Sequence, residues 1–105
     1  MNNNSAAVGL VENEKLLRRS NERTQKRVKR DFTTAQRIKT TIHFYCECSN
    51  VPCTMRIKLT EAKYEAIHSE RDKFIVSKGH EIAKIEKIVV EHSSYYVVEK
   101  FALEP

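Results

Sequence analysis

The sequence lacks the short motifs that mark the common catalytic sites. It contains two glycines in all, which excludes a glycine-rich phosphate-binding loop. It has no H-E-x-x-H, no G-x-S-x-G and no H-x-E…P-C-x-x-C pattern, so the signatures of zinc proteases, serine hydrolases and nucleobase deaminases are absent. We therefore predict that the protein is not an enzyme.

Long hydrophobic runs are also missing. Nothing in the chain approaches the roughly 18 consecutive apolar residues of a membrane-spanning helix. The start of the chain, MNNNSAAVGLVENE, lacks the charged beginning and the apolar run of a secretory signal peptide. These absences predict a cytoplasmic protein with no membrane contact, in a compartment where thiols stay reduced.

Positive charge is concentrated in the first part of the chain. Residues 1–40 carry ten Lys and Arg against four Asp and Glu, whereas residues 41–105 carry nine against ten. The net charge of +5 is therefore a property of the N-terminal part. A globular remainder of about 65 residues is marginally stable alone and often needs a disulfide, a metal or a partner.

Composition and periodicity divide the chain into four predicted segments. Residues 1–9 are small and polar and are predicted to be a disordered tail. Residues 10–32 contain no Gly or Pro and are predicted to form a basic helix. Residues 33–41 are predicted to be a linker, and residues 42–105 a small metal-binding α+β domain in which one helix packs on a mainly antiparallel sheet.

Within the predicted domain, alternation of apolar and polar residues indicates strands. TMRIKLT places Met55, Ile57 and Leu59 on one face, and Thr60 is a good N-cap for a helix beginning TEAKYEAI. IHFYC, KFIVS, AKIEKIVVE and YYVVEKF are the other predicted strands. The predicted order is helix, β, β, α, β, β, β.

All three cysteines lie within eight consecutive residues, in the spacing C-x-C-x4-C formed by Cys46, Cys48 and Cys53. Clustered cysteines in a reducing compartment more often bind metal than form disulfides. The intervening SNVP favours a turn that returns Cys53 to the other two. Alternate residues of an extended strand sit about 6.5 Å apart, too far for two ligands of one zinc, so the chain should bend at Glu47.

A closed zinc site needs a fourth ligand, and the chain offers His43, His68, His80 and His92. His80 is preferred because it follows a strand and adjoins Gly79, whose flexibility allows a sharp turn. His43 would point away from Cys46 in a regular strand. His68 is expected at the surface or inner edge of a helix, and His92 in a hairpin turn.

We thus predict a structural site for Zn²⁺ formed by Cys46, Cys48, Cys53 and His80. The alternatives are cysteines that are simply buried hydrophobes, a disulfide between Cys48 and Cys53, or a reactive thiol of low pKa. A catalytic zinc would need a nearby acid or base, and Glu47 and Glu81 flank the ligands. We expect both to be solvated acids beside a closed site.

Residues 18–30, RRSNERTQKRVKR, carry seven Lys and Arg. Helical spacing predicts one basic stripe that binds nucleic acid or an acidic protein, formed by Arg19, Arg23, Lys26, Arg27 and Arg30. The alternative is an ordinary solvated helix face, since no aromatic residue interrupts the run for base stacking. Leu10, Leu17 and Val28 give the helix a thin apolar stripe, which Asn21 interrupts.

Several of these segments recur together in a pattern. The pattern consists of Asn21-Glu22-Arg23 followed by three longer segments: FYCECSNVPCTMRIKLTEAKYEAI, KFIVSKGHE and IVVEHSSYYVVEK. Together they resemble a group of small uncharacterised bacterial proteins, mostly actinobacterial, with a C-E-C-x4-C … G-H … Y-x-V-V-E-K pattern. The resemblance extends over about residues 13–100 and implies that the three cysteines and His80 belong to one site. The chain departs from that pattern in its very basic helix and at His68, where arginine is usual.

These observations predict a small zinc-binding module that acts as a binding or regulatory protein through its basic helix and domain surface. Two alternatives stay open. One is a thiol-based redox sensor or metal-dependent enzyme, and the other is an accessory protein that binds nucleic acid. The resemblance implies no particular activity.

Overall fold

The structure is a computed structural model, which describes residues 3–48 and 53–101, with side chains from Lys15 onward. The helices in these ranges are α1 (Asn3–Asp31), α2 (Thr34–Lys39) and α3 (Glu61–Ile67). The strands are β1 (Thr41–Tyr45), β2 (Arg56–Thr60), β3 (Lys73–Ser77), β4 (Glu86–Glu91) and β5 (Tyr95–Lys100). The predicted α+β class, with an N-terminal helix followed by antiparallel strands and a packed helix, is confirmed.

The described strands form two antiparallel sheets, a division that the sequence patterns did not predict. β1 pairs with β2, and β5 lies between β3 and β4. The backbone just after β1 contacts both sheets. The N–H of Cys46 donates to the carbonyl of Met55 before β2 (3.2 Å), and the N–H of Glu47 donates to the carbonyl of Ile75 in β3 (2.8 Å).

One apolar core lies between the two sheets and α3. It includes Phe44, Ile57, Leu59, Tyr64, Phe74, Ile75, Val76 and Val98, together with Cys46 and Cys48. The rings of Phe44 and Tyr64 stack with centroids 4.3 Å apart. Ile57 and Leu59 face inward as predicted, but Met55 precedes β2 and is exposed, because that strand begins only at Arg56.

The N-terminal part is more helical than the sequence patterns predicted. α1 begins at Asn3, so it includes most of the segment predicted as a disordered tail. The predicted linker, residues 33–41, contains α2 and the first residue of β1. A capping box starts α2: the Thr33 hydroxyl accepts from the N–H of Gln36, and the Gln36 side chain accepts from the N–H of Thr33.

α1 packs on the domain through a face that is mostly polar. Arg18, Asn21, Gln25 and Val28 are its buried residues, at the spacing of one helical face. Asn21 pairs with the backbone of β1 much as a neighbouring strand would. Its Nδ2 donates to the carbonyl of Tyr45 (2.9 Å), and its Oδ1 accepts from the N–H of Tyr45 (2.8 Å).

A buried carboxylate holds α1 and α2 to α3. Glu61, at the start of α3, is fully buried. One of its oxygens accepts from Gln25 Nε2 of α1 at 2.6 Å, and the other pairs with Arg37 of α2. Lys29 of α1 and Arg37 also bind Glu65, one turn further along α3, at 2.6 and 3.0 Å.

Asn21→Ala should destabilise the fold although it removes few atoms. The change leaves both backbone groups of Tyr45 without their side-chain partners and removes one donor from a buried carboxylate. We expect a loss of about 2–3 kcal/mol in the free energy of unfolding, measured by urea denaturation. Arg23→Ala on the exposed side of the same helix is the control and should change stability by less than about 0.5 kcal/mol. Equal stability of the two variants would contradict a polar docking face.

Candidate metal centre

The structure brings Cys46, Cys48, Cys53 and His80 together, with their ligand atoms all within 4.8 Å of one another. The Nδ1 atom of His80 lies 3.5 Å from Cys46 Sγ and 3.4 Å from Cys53 Sγ. In a tetrahedral zinc site with Zn–S and Zn–N bonds of about 2.3 and 2.1 Å, a sulfur and a nitrogen ligand are about 3.6 Å apart. The four residues could therefore hold a metal ion.

Three separate segments deliver these side chains. Cys46 and Cys48 follow β1, Cys53 precedes β2, and His80 follows β3. Gly79 has φ +86°, a conformation that glycine adopts readily, and it turns the chain so that the N–H of His80 donates to the carbonyl of Ser77 (3.0 Å). The predicted SNVP turn occupies residues 49–52, which lie outside the described residues.

The bend predicted at Glu47 coincides with the passage of the chain from one sheet to the other. β1 ends at Tyr45. The backbone N–H of Cys46 then bonds to Met55, just before β2, and the backbone N–H of Glu47 bonds to Ile75 of β3 in the other sheet. The chain therefore leaves the regular strand geometry that would hold alternate side chains too far apart for one metal ion.

The local environment favours the thiolate form of Cys46. A hydrogen bond with the Cys48 thiol is the largest cause that lowers the pKa of Cys46 to about 5, against the opposing effect of burial. The N–H of Ser77 adds a donor 3.2 Å from the sulfur. A thiolate is the form of cysteine that binds metal, so the apolar surroundings do not prevent ligation.

Glu47, which lies between the two ligands Cys46 and Cys48, is fully buried, so the expectation of a solvated acid is wrong. Its Oε2 accepts from Asn21 Nδ2 (2.9 Å) and from the Tyr64 hydroxyl (2.8 Å). Its Oε1 accepts from the N–H of Ile75 (3.0 Å) and lies 2.8 Å from His68 Nε2. Four donors therefore occupy the roughly four acceptor positions of this carboxylate.

His68 is part of the same buried cluster, so of the two positions expected from the sequence it takes the inner edge of the helix and not the surface. Its side chain is 5% exposed and stacks on the Tyr64 ring, with centroids 3.8 Å apart. Its Nδ1 lies 2.9 Å from the carbonyl oxygen of Tyr64, which can only accept, and its Nε2 faces the Glu47 carboxylate. Both ring nitrogens of His68 are therefore engaged within the fold.

Tyr64 donates to Glu47 because its hydroxyl keeps its proton. Burial is the main cause that raises the pKa of Tyr64, and the charge of Glu47 raises it further. The other acid beside the ligands is only half-buried: Glu81 Oε1 accepts from the N–H of Gly79 at 3.0 Å. Each of the two acids near the site is therefore engaged in hydrogen bonds within the fold.

The five basic residues predicted as a partner surface are exposed on α1, away from the buried face of the helix. Arg30 pairs with its neighbour Asp31 at 2.9 Å. The other four form no ion pair with any residue that the structure describes: Arg19, Arg23, Lys26 and Arg27.

Sequence reasoning missed the polar cluster behind the ligands. A carboxylate placed between two metal-binding cysteines was one available signal, because its side chain must point away from the sulfurs. Tyr64 and His68 at i, i+4 on a helix were a second, since this spacing puts both rings on one face. The role of Asn21 had no local signal, because its partners lie 24 and 26 positions further along the chain.

No protein-family model, no curated protein and no solved structure matches the chain. The resemblance to the small bacterial proteins thus stays a prediction. In the part of the chain that the structure describes, no helix combines the length and apolar character needed to cross a bilayer.

Glu47→Gln should be costly even though it preserves shape. The amide NH₂ would face donors in place of an accepting oxygen, and His68 would lose its charged partner. We expect the free energy of unfolding to fall by about 2–4 kcal/mol. Glu81→Gln is the matched control, because the amide oxygen can still accept from Gly79, and it should change stability by less than about 0.5 kcal/mol. Chemical denaturation of both variants measures the difference, and a neutral Glu47→Gln would refute the buried network.

Proposed function

We propose that the protein is a small zinc-binding module whose metal site is structural. The convergence of three sulfurs and one imidazole nitrogen within 4.8 Å carries the proposal. Three thiolates and a histidine in a tetrahedral arrangement form a typical structural zinc set, and thiolate-rich tetrahedral sites favour zinc over hard cations.

Burial and hydrogen bonding favour this role over the two alternatives. Cys46 is 2% exposed and Cys48 is 1% exposed, whereas redox-sensing thiols are accessible to their oxidant. A catalytic zinc needs an acid or base free to move a proton. Glu47 has all its acceptor positions occupied within the fold, so the nearest acid is poorly suited to that task.

A metal at this place would connect the two sheets. It would join the end of β1 and the start of β2, which pair in one sheet, to the turn after β3, which belongs to the other. A domain of this size buries too little surface to be very stable by its core alone. Binding energy at the metal therefore becomes folding energy.

The chain should carry one zinc ion, and His80→Ala should weaken its binding. Loss of residues that merely orient metal ligands costs about 10- to 100-fold in affinity, so loss of a ligand should cost at least about 100-fold. His80→Cys should retain the metal, because four thiolates also form a structural set. Zinc per chain by elemental analysis and competition with a chelator measure both effects.

His43→Ala is the control for this experiment, because His43 is exposed on β1 and should leave the affinity unchanged. Two results would contradict a structural zinc site. One is a metal-free chain as stable as the loaded one, and the other is unchanged zinc affinity in His80→Ala.

We further propose that the exposed side of α1 binds an anionic partner, either nucleic acid or an acidic protein. The supporting observation is that Arg19, Arg23 and Lys26 form no ion pair with any described residue, while Arg27 has only a coulombic interaction with Asp31, which already pairs with Arg30. Other cations of the N-terminal part, such as Lys29 and Arg37, bind acids of α3. The unpaired side chains would steer and hold a partner of opposite charge.

The double variant Arg23→Gln/Arg27→Gln should weaken such binding and its dependence on salt. For a DNA duplex, removal of two phosphate contacts should reduce the slope of log K against log salt by about 1.8. Titrations of a labelled duplex and of an acidic peptide at several salt concentrations measure this. Lys58→Gln/Lys84→Gln removes the same charge from exposed residues away from α1 and serves as the control. Absence of salt-sensitive binding to both probes would remove this part of the proposal.

A further inference from the structure

A cavity of about 630 Å³ lies between α1 and the segment that joins α3 to β3. Besides Arg18, which forms part of the wall, four cationic side chains line it: Lys15, Arg19 and Lys26 from α1, and Arg71 from the joining segment. Two of them, Lys15 and Arg71, were not part of the predicted basic stripe. The cavity therefore gathers positive charge from two separate elements, which a simple solvated helix face would not do.

None of these four cations forms an ion pair or a hydrogen bond with a residue in the described ranges. Several other cations in the described ranges do pair with acids. Lys29 pairs with Glu65, and Lys73 pairs with Glu70, Asp72 and Glu99. Like charges gathered around one cavity repel each other, so an anion placed between them is strongly favoured.

The wall of the cavity is held in place by Arg18, which is 8% exposed. Its guanidinium donates to the carbonyls of Glu70 and Arg71 and lies 4.8 Å from the centre of the Phe74 ring. Among the described residues of the lining, Glu22 is the one acid, and it lies 3.6 Å from Arg18 Nε. The positive charge of Arg18 is thus compensated by Glu22, whereas the charges of the four other cations are not compensated by any described acid.

The charge and size of the cavity define a class of ligand. Its volume lies within the range of about 300–1,000 Å³ found for small-molecule sites. A phosphate monoester carries a charge of about −1.5 to −2 near neutral pH, so two or three linked phosphates match four cations. Arginine offers paired donors that fit phosphate oxygens, and lysine offers a mobile point charge.

The aromatic side chain on the lining is already in use. Phe74 is 4% exposed and is covered by Arg18, so it offers no open face for stacking a base. Recognition in this cavity would therefore rest on the phosphates and not on the group that carries them. We propose that the cavity binds the phosphate chain of a small organic polyphosphate, such as a nucleoside diphosphate or triphosphate.

This inference goes beyond the structural zinc and the anionic partner of α1, and no step of it uses the metal. A binding experiment on the full zinc-loaded chain tests it, with inorganic triphosphate, a nucleoside triphosphate and inorganic phosphate as probes in calorimetric titrations. The two triphosphates should bind with similar affinity, because the phosphate chain is the common feature. Inorganic phosphate should bind at least about tenfold more weakly, because it engages fewer cations.

Two substitutions on opposite sides of the cavity locate the site. Lys15→Gln and Arg71→Gln should each weaken triphosphate binding by about tenfold, since each removes one charged contact. Lys58→Gln removes the same charge from an exposed residue of β2 outside the cavity lining and should change the affinity by less than about twofold. All three side chains are exposed, so thermal unfolding and zinc content should stay at the values of the original chain.

Three results would overturn the inference. They are no binding of either triphosphate, an equal loss of affinity in Lys58→Gln, and tight binding of a DNA duplex that depends on Lys15 and Arg71 while the triphosphates do not bind. The first two would leave only a diffuse attraction of anions to the basic chain, and the third would assign the cavity to nucleic acid. Zinc content, measured on the same samples, separates a failure of this inference from a failure of the metal site.

Discussion

The buried carboxylate of Glu47 is the constraint on which the rest of the structure depends. Removal of an ionised carboxylate from water costs several kcal/mol unless donors replace the lost hydration. Here the donors come from α1, α3 and β3, through Asn21, Tyr64, His68 and the N–H of Ile75. Those elements can therefore adopt only the arrangement in which all four donors reach one side chain. Glu47 also lies between two of the candidate ligands, so the same requirement positions their sulfurs.

Glu61 applies the same principle to the N-terminal helices. It is fully buried and binds Gln25 of α1 and Arg37 of α2. Helix α1, whose apolar stripe is thin, thus docks on the domain through buried hydrogen bonds. The carboxylates of Glu47 and Glu61 fix its position along the domain. This arrangement divides the basic residues of the chain by role. Within α1, Arg18 and Lys29 bind carbonyls or acids of the domain, whereas Arg19, Arg23 and Lys26 are left on the exposed side of the helix or around the cavity.

The candidate ligands and the α+β class were predictable because their signals are local. Three cysteines within eight residues and a histidine after Gly79 are visible in the sequence, as is the alternation in RIKLT. The capping box at Thr33 was also visible, but a six-residue helix gives no periodic pattern that would support it. The burial of Asn21 was not predictable, since asparagine is usually exposed and its partners are distant in sequence. For Glu47 the one local signal was its place between two candidate ligands, while the donors that permit its burial are also distant in sequence. The division into two sheets depends on single backbone hydrogen bonds of Cys46 and Glu47, which no composition signal marks.

Metal binding and the docking of α1 act on the same short backbone segment. In the zinc-bound protein that we propose, the ion holds Cys46 and Cys48, and this fixes the residue between them in the position where Asn21 reaches its carboxylate. Each event then stabilises the conformation that the other needs, and the coupling has the same magnitude in both directions. The helix that carries the unpaired cations is therefore tied to the metal centre by one buried hydrogen bond and by its pairing with β1. In the function that we propose, the metal site would contribute by keeping a charged helix in one place on a domain too small to hold it by apolar packing alone.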